Sequence, residues 1–536
     1  MHPHCPESAA RPEAKPQSGF RRWIVPAAGL LSLVWFLLRV APKPSRAAYP
    51  CQRAAAPLAG GFVVWVAGAL ASAALYRRGK KLWGQSRIAV ACGCLAAAAM
   101  LALGVFTGMP QPAAMAEPHQ PLGTGKGIYP GRVVWAHDPS ATKWEGPGQG
   151  HWWEEAYTSQ EAVDGMMSGS IRRLTGKKSD RQAWDSLFRH FNRERGRGNT
   201  PYRKGEKIAI KVNFVGTIFP EKNIDPKTYD LTGRRLDYMN TSPQMIRALL
   251  RQLVKEAGVN QEDISVGDPL SLFPGQYYRM LHREFPGAQY IDYTAGSEGH
   301  PRTKVAYSKT PLYWSSRPEG AAQDYVPVHY AEARYLINMA NLKSHGMAGV
   351  TLCAKNHFGS LIRRPPDKGY FDMHASLAGR APGMGKYREL VDLMGHEHLG
   401  GKTLVHFIDG LYPGVHPSGN APRKWTSAPF DGRWAASLLA SQDPVAIDSV
   451  GFDFLWTEWD DYPRMPGADD YLHEAALAAN PPSGTFYDPN HPAATARLAS
   501  LGAHEHWNNA RDKQYSRNLG KREGIELVRV DRAARP

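Results

Sequence analysis

The chain is poor in cysteine and lacks the short motifs that announce common chemistries. Five cysteines occur in 536 residues. Cys92 and Cys94 fall inside an apolar run, and beyond residue 110 only Cys353 remains. That excludes an internal disulfide and a cysteine-ligated iron–sulfur cluster from the long C-terminal part. There is no HExxH or CxxC metal motif, no GxSxG, no GxGxxG and no P-loop. Neither a serine-type nucleophile nor a nucleotide cofactor is therefore implied.

Carboxylates are scarce in two places. Residues 1–110 hold two acids, Glu7 and Glu13, against thirteen of the 65 Lys and Arg. Most of the net charge of +16 sits there, and the remainder of the chain is near +5. The basicity is thus a topology signal beside apolar segments, and no nucleic-acid partner is expected. The second acid-free place is 341–361, "NLKSHGMAGVTLCAKNHFGSL", with two lysines and two histidines among small and apolar residues.

Three apolar runs, 23–40, 58–76 and 88–109, have the length needed to cross a hydrocarbon core of roughly 30 Å. A cleaved signal peptide is the alternative for the first. Lys and Arg before the first run and between the second and third outweigh those elsewhere, which places the N-terminus inside. The expectation is a multi-pass protein of the cytoplasmic (inner) membrane, its bilayer-facing part followed by a soluble domain on the outer, periplasmic side. The expected organisation is a cytoplasmic tail (1–22), three transmembrane helices (23–109), a Pro/Gly-rich linker (110–127) and an α/β domain (128–536).

Within that domain, "EKIAIKVNFVG" reads as a buried parallel strand, and "NTSPQMIRALLRQLVKEAG" as a helix capped by Thr241 or Ser242. "EDISVGDP", "ARYLINMANLKSH", "KTLVHFIDG" and the start of "AASLLASQDPVAIDSVGFDFLW" supply further strands. The fold class is α/β, with a mixed, mostly parallel sheet flanked by helices. Polar residues recur where each strand runs out: Lys211 and Asn213, Asp268, Lys343 and His345, Asp409, Asp443. Ligands of open α/β sheets bind beyond the carboxyl ends of strands, so one site is expected to gather these residues.

An anion site is the first reading of that gathering. Lys343 and Lys355 would clamp a phosphate or carboxylate, and their mutual repulsion would make one of them a base. His345 or His357 would move protons, while Lys211, Asn213, Asn356 and Gly359 would bind substrate. Gly346, Ala348 and Gly349 would let backbone N–H groups approach the anion. A divalent metal is the second reading, with His345, His357, Asp268, Asp409 and Asp443 as ligands and His374, His396 and His398 as further candidates. "HEH" occurs at 396–398 and again at 504–506.

"KVNFVG", "LINMANLKSHGMAGVTLCAKNHFGSL", "FIDGLYPG" and "LLASQDPVAIDSVG" together resemble the domain-of-unknown-function family 362, over roughly residues 200–455. Some members of that family carry ferredoxin-like cysteine clusters, which this sequence lacks. The resemblance implies an architecture and a place to look for a site, not a reaction. The order strand–TSP–helix–AGV–DI–strand is also similar to the amino-terminal half of lactate-racemase-type enzymes, which use a nickel pincer cofactor held by lysine and histidine. No residue is carried over from them. The expected function is that of a membrane-anchored enzyme acting on a small anionic molecule. The alternatives are a non-catalytic envelope module that binds an anionic ligand or partner, and a redox or metal-dependent racemase-like enzyme.

Overall fold

A computed structural model describes residues 30–35, 37–38, 50–85, 87–107, 120–218, 224–297, 300–316, 322–364, 367–415 and 422–531. The chain divides into two compact units, 1–116 and 117–536. In the first, helices Pro50–Gly84 and Ile88–Thr107 overlie the second and third apolar runs. They pack closely: Ser72 Oγ donates to the Ala98 carbonyl at 2.9 Å, and a Cβ at Gly79 would meet Leu95 Cγ at 2.9 Å. Among the described residues no helix is long and apolar enough to cross a membrane, so the expected three crossings find no support here. Most of the first run, 23–40, lies outside the described residues.

The second unit begins earlier than the expected boundary at 128. Leu122–Gly123 pairs antiparallel with Ala503–His504, Lys126 N donates to Asp443 Oδ2 at 2.8 Å, and Ile128 N donates to Gln442 Oε1 at 3.0 Å. The last residues assigned to the linker are therefore part of the fold.

Among the described residues ten strands build the main sheet. In chain order they are β1 (Arg132–His137), β2 (Ile208–Lys211), β3 (Ile264–Gly267), β4 (Gln289–Asp292), β5 (Thr303–Lys304), β6 (Tyr335–His345), β7 (Gly349–Thr351), β8 (Thr403–Gly414), β9 (Ser437–Ser441) and β10 (Glu526–Asp531). Across the sheet the order is β10-β1-β9-β8-β6-β2-β3-β4-β5, and β7 folds back on the end of β6. All run parallel except β7 and β9, which are antiparallel to their neighbours. This is the mixed, mostly parallel sheet expected from the sequence.

Side chains alternate across the sheet with period two. Along β6, Tyr335, Ile337 and Met339 enter one core, while Leu336 and Ala340 enter the other. Helices Gln160–Thr175, Asp180–Glu194, Pro243–Arg251 and Gly275–His282 cover the first face. Helices Glu389–Gly395, Pro444–Glu458 and Asp470–Ala476 cover the second. With both faces covered, the central strands are buried along their length, so any polar residue in them must find its partners inside the protein.

Candidate functional site

Three lysines are buried together at the carboxyl ends of β2 and β6. Lys211 is the last residue of β2, Lys343 lies near the end of β6, and Lys355 sits on the short helix Cys353–Asn356 that follows the β6–β7 hairpin. A register shift between Asn341 and Lys343 in the β6–β8 pairing marks the place where β6 leaves regular geometry.

The lysines join an amide network. Lys211 Nζ donates to Asn356 Oδ1 at 2.9 Å and faces Asp268 Oδ1 at 3.3 Å. Asn213 Nδ2 donates to the same Asn356 oxygen at 3.0 Å, and Lys343 Nζ donates to Asn213 Oδ1 at 2.8 Å. Asn356 Nδ2 reaches Asn338 Oδ1 at 2.7 Å. On the other side of Asn213, Thr241 Oγ1 donates to Asn341 Oδ1 at 3.0 Å. Gly359 closes the floor. A Cβ there would lie 2.3 Å from Asp268 Oδ1 and 2.9 Å from Lys211 Nζ, so only glycine lets the backbone come this near the ion pair.

Charge is unevenly compensated. Lys211 has Asp268 as its counter-ion, which opposes the downward pull of burial on its pKa. Among the described residues Lys343 has an amide oxygen, that of Asn213, and no carboxylate. Burial holds its pKa well below the ordinary lysine value, the charges of Lys355 and Lys211 push the same way, and Asp268 opposes them. Lys355 is lowered to about 7 by burial, with Glu389 raising it and Lys211 lowering it. Its ammonium lies 3.5 Å above the Phe358 ring. Glu389 is buried, neither of its side-chain oxygens is hydrogen-bonded to another described residue, and burial pushes its pKa up to about 8 against the pull of its own backbone N–H and of Lys355. The site thus holds an amine and a carboxyl group that both titrate near neutrality without being in ion-pair contact.

Helix Pro444–Glu458 positions this corner. Asp448 accepts from the backbone N–H groups of Cys353 (2.8 Å) and Ala354 (3.0 Å), which fixes the turn that presents Lys355. His374 lies beside it, its pKa drawn down to about 4 by burial and then by Lys355. Its ring is 5.6 Å from Phe358 and 6.4 Å from His345. His345 and His374 are only partly buried, so here the network meets the surface.

Of the residues singled out in the sequence, Lys211, Asn213, Asp268, Lys343, Lys355, Asn356 and Gly359 come together. The others have different places. His357 is fully buried. Asn338 Nδ2 donates to its Nε2 at 3.1 Å and its Nδ1 pairs with Ser360 Oγ at 3.1 Å, so it is a neutral structural histidine. His345 Nδ1 accepts from the backbone N–H groups of Met347 and Ala348, so those amides fix the hairpin instead of facing an anion. Asp409 accepts from the N–H groups of Ser242 (2.8 Å) and Leu411 (3.0 Å).

Asp443 belongs to the opposite edge. β9 is antiparallel to β8, so its end lies beside the start of β8, His406 against Ser441. There Asp443 accepts from Lys126, Val445, Ala446 and Ala503 N–H groups. His396 Nε2 donates to the Pro311 carbonyl, and His398 Nδ1 accepts from Lys402 Nζ, so this histidine pair does not chelate. The metal-ligand set drawn from the sequence is therefore not assembled. Among the described residues the one histidine group spaced to hold an ion is His473, His504 and His506. Sequence reasoning missed Glu389 and Asp448, and it read Asn338 and Asn341 only as strand residues.

Residues 208–453, the span that holds the three lysines, match the family described as Domain of unknown function (DUF362). This supports the family resemblance drawn from the strand-end motifs. No curated protein and no solved structure matches the chain.

Proposed function

We propose that the second unit is an enzyme that binds a small phosphate- or carboxylate-bearing molecule against Lys343 and Lys355 and moves a proton on it. One observation supports this above the others: among the described residues, Lys343 is buried with an amide oxygen as its partner and no carboxylate in contact. A buried ammonium without a counter-charge is costly, so the amine is either neutral or matched by an anion that enters from outside. An arriving anion against Lys343 would supply the missing counter-charge and favour that lysine's ammonium form. Lys355 and Glu389, one amine and one carboxyl group poised near neutrality, are suited to act as base and acid on the bound molecule. Asn213 and Asn356 hold Lys343 and Lys211 in place and would orient the anion's oxygens through those lysines.

The test is calorimetric titration of the full-length chain with a panel of small phosphorylated and carboxylated compounds, for wild type and Lys343→Met. The expected result is binding by wild type that the variant loses, with chemical change of the bound compound on incubation. Removing a desolvated amine should leave the variant's melting temperature equal or higher. Binding without any turnover would favour the envelope binding module, and equal binding by both proteins would sink the anion site.

Anchoring in the inner membrane, with this unit on the periplasmic side, is the second part of the proposal. It rests on the apolar runs and the placement of Lys and Arg in residues 1–110. A reporter fused after Met109 that is active only in the cytoplasm would overturn it.

A further inference from the structure

A second "HEH", His504-Glu505-His506, lies far from the lysines in sequence and shares no residue with their site. His504 ends the strand Ala503–His504, and helix Asp470–Ala476 brings His473 against it. The His473 and His504 rings are 4.4 Å apart, and those of His504 and His506 are 5.0 Å apart. One ligand nitrogen from each of the three lies within 4.8 Å of the others. Asp469 Oδ2 is 3.6 Å from both His473 Nε2 and His506 Nε2.

The neighbouring helix fixes which nitrogens face inward. Ser449 and Asp453, four residues apart on helix Pro444–Glu458, share one helix face. Ser449 Oγ donates its proton to the Val445 carbonyl at 2.7 Å, so it must accept from His504 Nδ1–H at 2.9 Å. That leaves the lone pair of His504 on Nε2. Asp453 Oδ1 accepts from His506 Nδ1–H at 2.5 Å, and its other oxygen is held by Trp507 N and Tyr515 OH, both at 2.9 Å. An imidazole whose Nδ1–H is given to a fixed acceptor is oriented for Nε2 ligation, the arrangement of outer partners seen around protein-bound metals.

We propose that His473, His504, His506 and Asp469 form a four-coordinate site for a divalent transition-metal ion, zinc foremost. Three imidazoles and one carboxylate suit zinc in chemistry and number, and four protein ligands describe a closed, structural centre. Metal–nitrogen bonds of about 2.0–2.1 Å need only modest ring movements from the present spacing. The ion would fasten the 503–506 segment to helix Asp470–Ala476. Imidazole binds a metal only through a deprotonated nitrogen, so binding weakens on acidification.

The experiment uses the full-length chain freed of metal by chelation and titrated with Co²⁺, whose visible spectrum reports tetrahedral nitrogen and oxygen ligands, then with Zn²⁺ in competition. The expected result is one equivalent of Co²⁺ per chain with tetrahedral bands, displaced by Zn²⁺, and a rise in melting temperature with Zn²⁺. Both effects should be lost in His473→Ala and in His506→Gln, two partly exposed positions where far-ultraviolet circular dichroism can show the fold retained. Asp453→Asn should weaken Co²⁺ by roughly 10–100-fold. No tetrahedral spectrum in wild type, or an undiminished one in both histidine variants, would overturn the site.

Discussion

Asp448 holds Cys353 across the interface between two helices, its carboxylate accepting the Cys353 N–H at 2.8 Å and that of Ala354 at 3.0 Å. The acid that ends the motif "DPVAID" thus serves a turn almost a hundred residues earlier, the one that presents Lys355. The amide of Asp448→Asn can accept through one atom only, and its NH₂ would confront a backbone donor. We expect a loss of about 1–3 kcal/mol in stability and weaker anion binding, because Lys355 moves with its turn. Denaturant melts and ligand titrations on the same variant read both, and an unchanged melt would refute the positioning role.

The Lys355–Glu389 pair sets a pH signature whose sign can be worked out. Glu389 titrates near 8 in the folded protein against an ordinary 4.5, so its stabilising contribution is complete below 4.5 and is lost as pH rises to about 8. Lys355 titrates near 7 against 10.5, so its contribution is complete above 10.5 and is lost as pH falls to about 7. Together they carve a minimum of stability at about pH 7–8, flattened in the double variant Lys355→Met/Glu389→Gln. Denaturant midpoints from about pH 5 to about pH 10 test this. In Glu389→Gln alone, the Lys355 amine should titrate lower still, since the carboxylate raises it.

Gly359→Ala should be harmful despite adding one methyl group. The new Cβ would fall 2.3 Å from Asp268 Oδ1, prising the carboxylate from Lys211. Overpacking of this kind costs about 1–3 kcal/mol. The variant should also lose anion affinity, because an unpaired Lys211 reverts to a neutral amine. A variant that melts and binds like wild type would show that the floor is soft.

Asp443→Ala separates the two edges of the sheet. It removes the acceptor for four backbone N–H groups, one of them at residue 126, so a stability loss of about 2 kcal/mol or more is expected. Anion affinity, measured below the new melting temperature, should not change. Reduced affinity would place Asp443 in the lysine site after all.

The lysine site was legible in part because strands buried on both faces read as apolar runs, and a Lys or Asn at their ends needs a reason to be there. That logic finds Lys211, Asn213, Asp268 and Lys343. It fails at Asp443 because a run of apolar residues does not state its direction, and β9 runs backwards. It fails at His357 because Lys355 and His357 are on one tight helical stretch, where residues two apart point to different sides. Lys355 turns toward Phe358, and His357 turns into the core toward Asn338. Glu389, in "YRELVDLMG", looks like the solvent face of an amphipathic helix, and only the packing of the 389–395 helix into the core reveals it as buried. The second "HEH" was visible, but its third histidine, on a separate helix, was not.

The place of β1 in the sheet has a consequence for how the protein is made. Its two neighbours are β9 and β10, so Trp135 Nε1 donates to Ser437 Oγ, 302 residues on, and Arg132 pairs with Glu526, 394 residues on. At ribosomal speeds the apolar segment "VVWA" waits on the order of 15–80 s between its own emergence and that of its partners. Until β9 is made it has no partner strand, and its other edge stays open until β10 follows. Whatever accompanies the nascent chain, a chaperone or an export machine, must keep it extended and apart until residue 531 has been made, and the sheet closes only then.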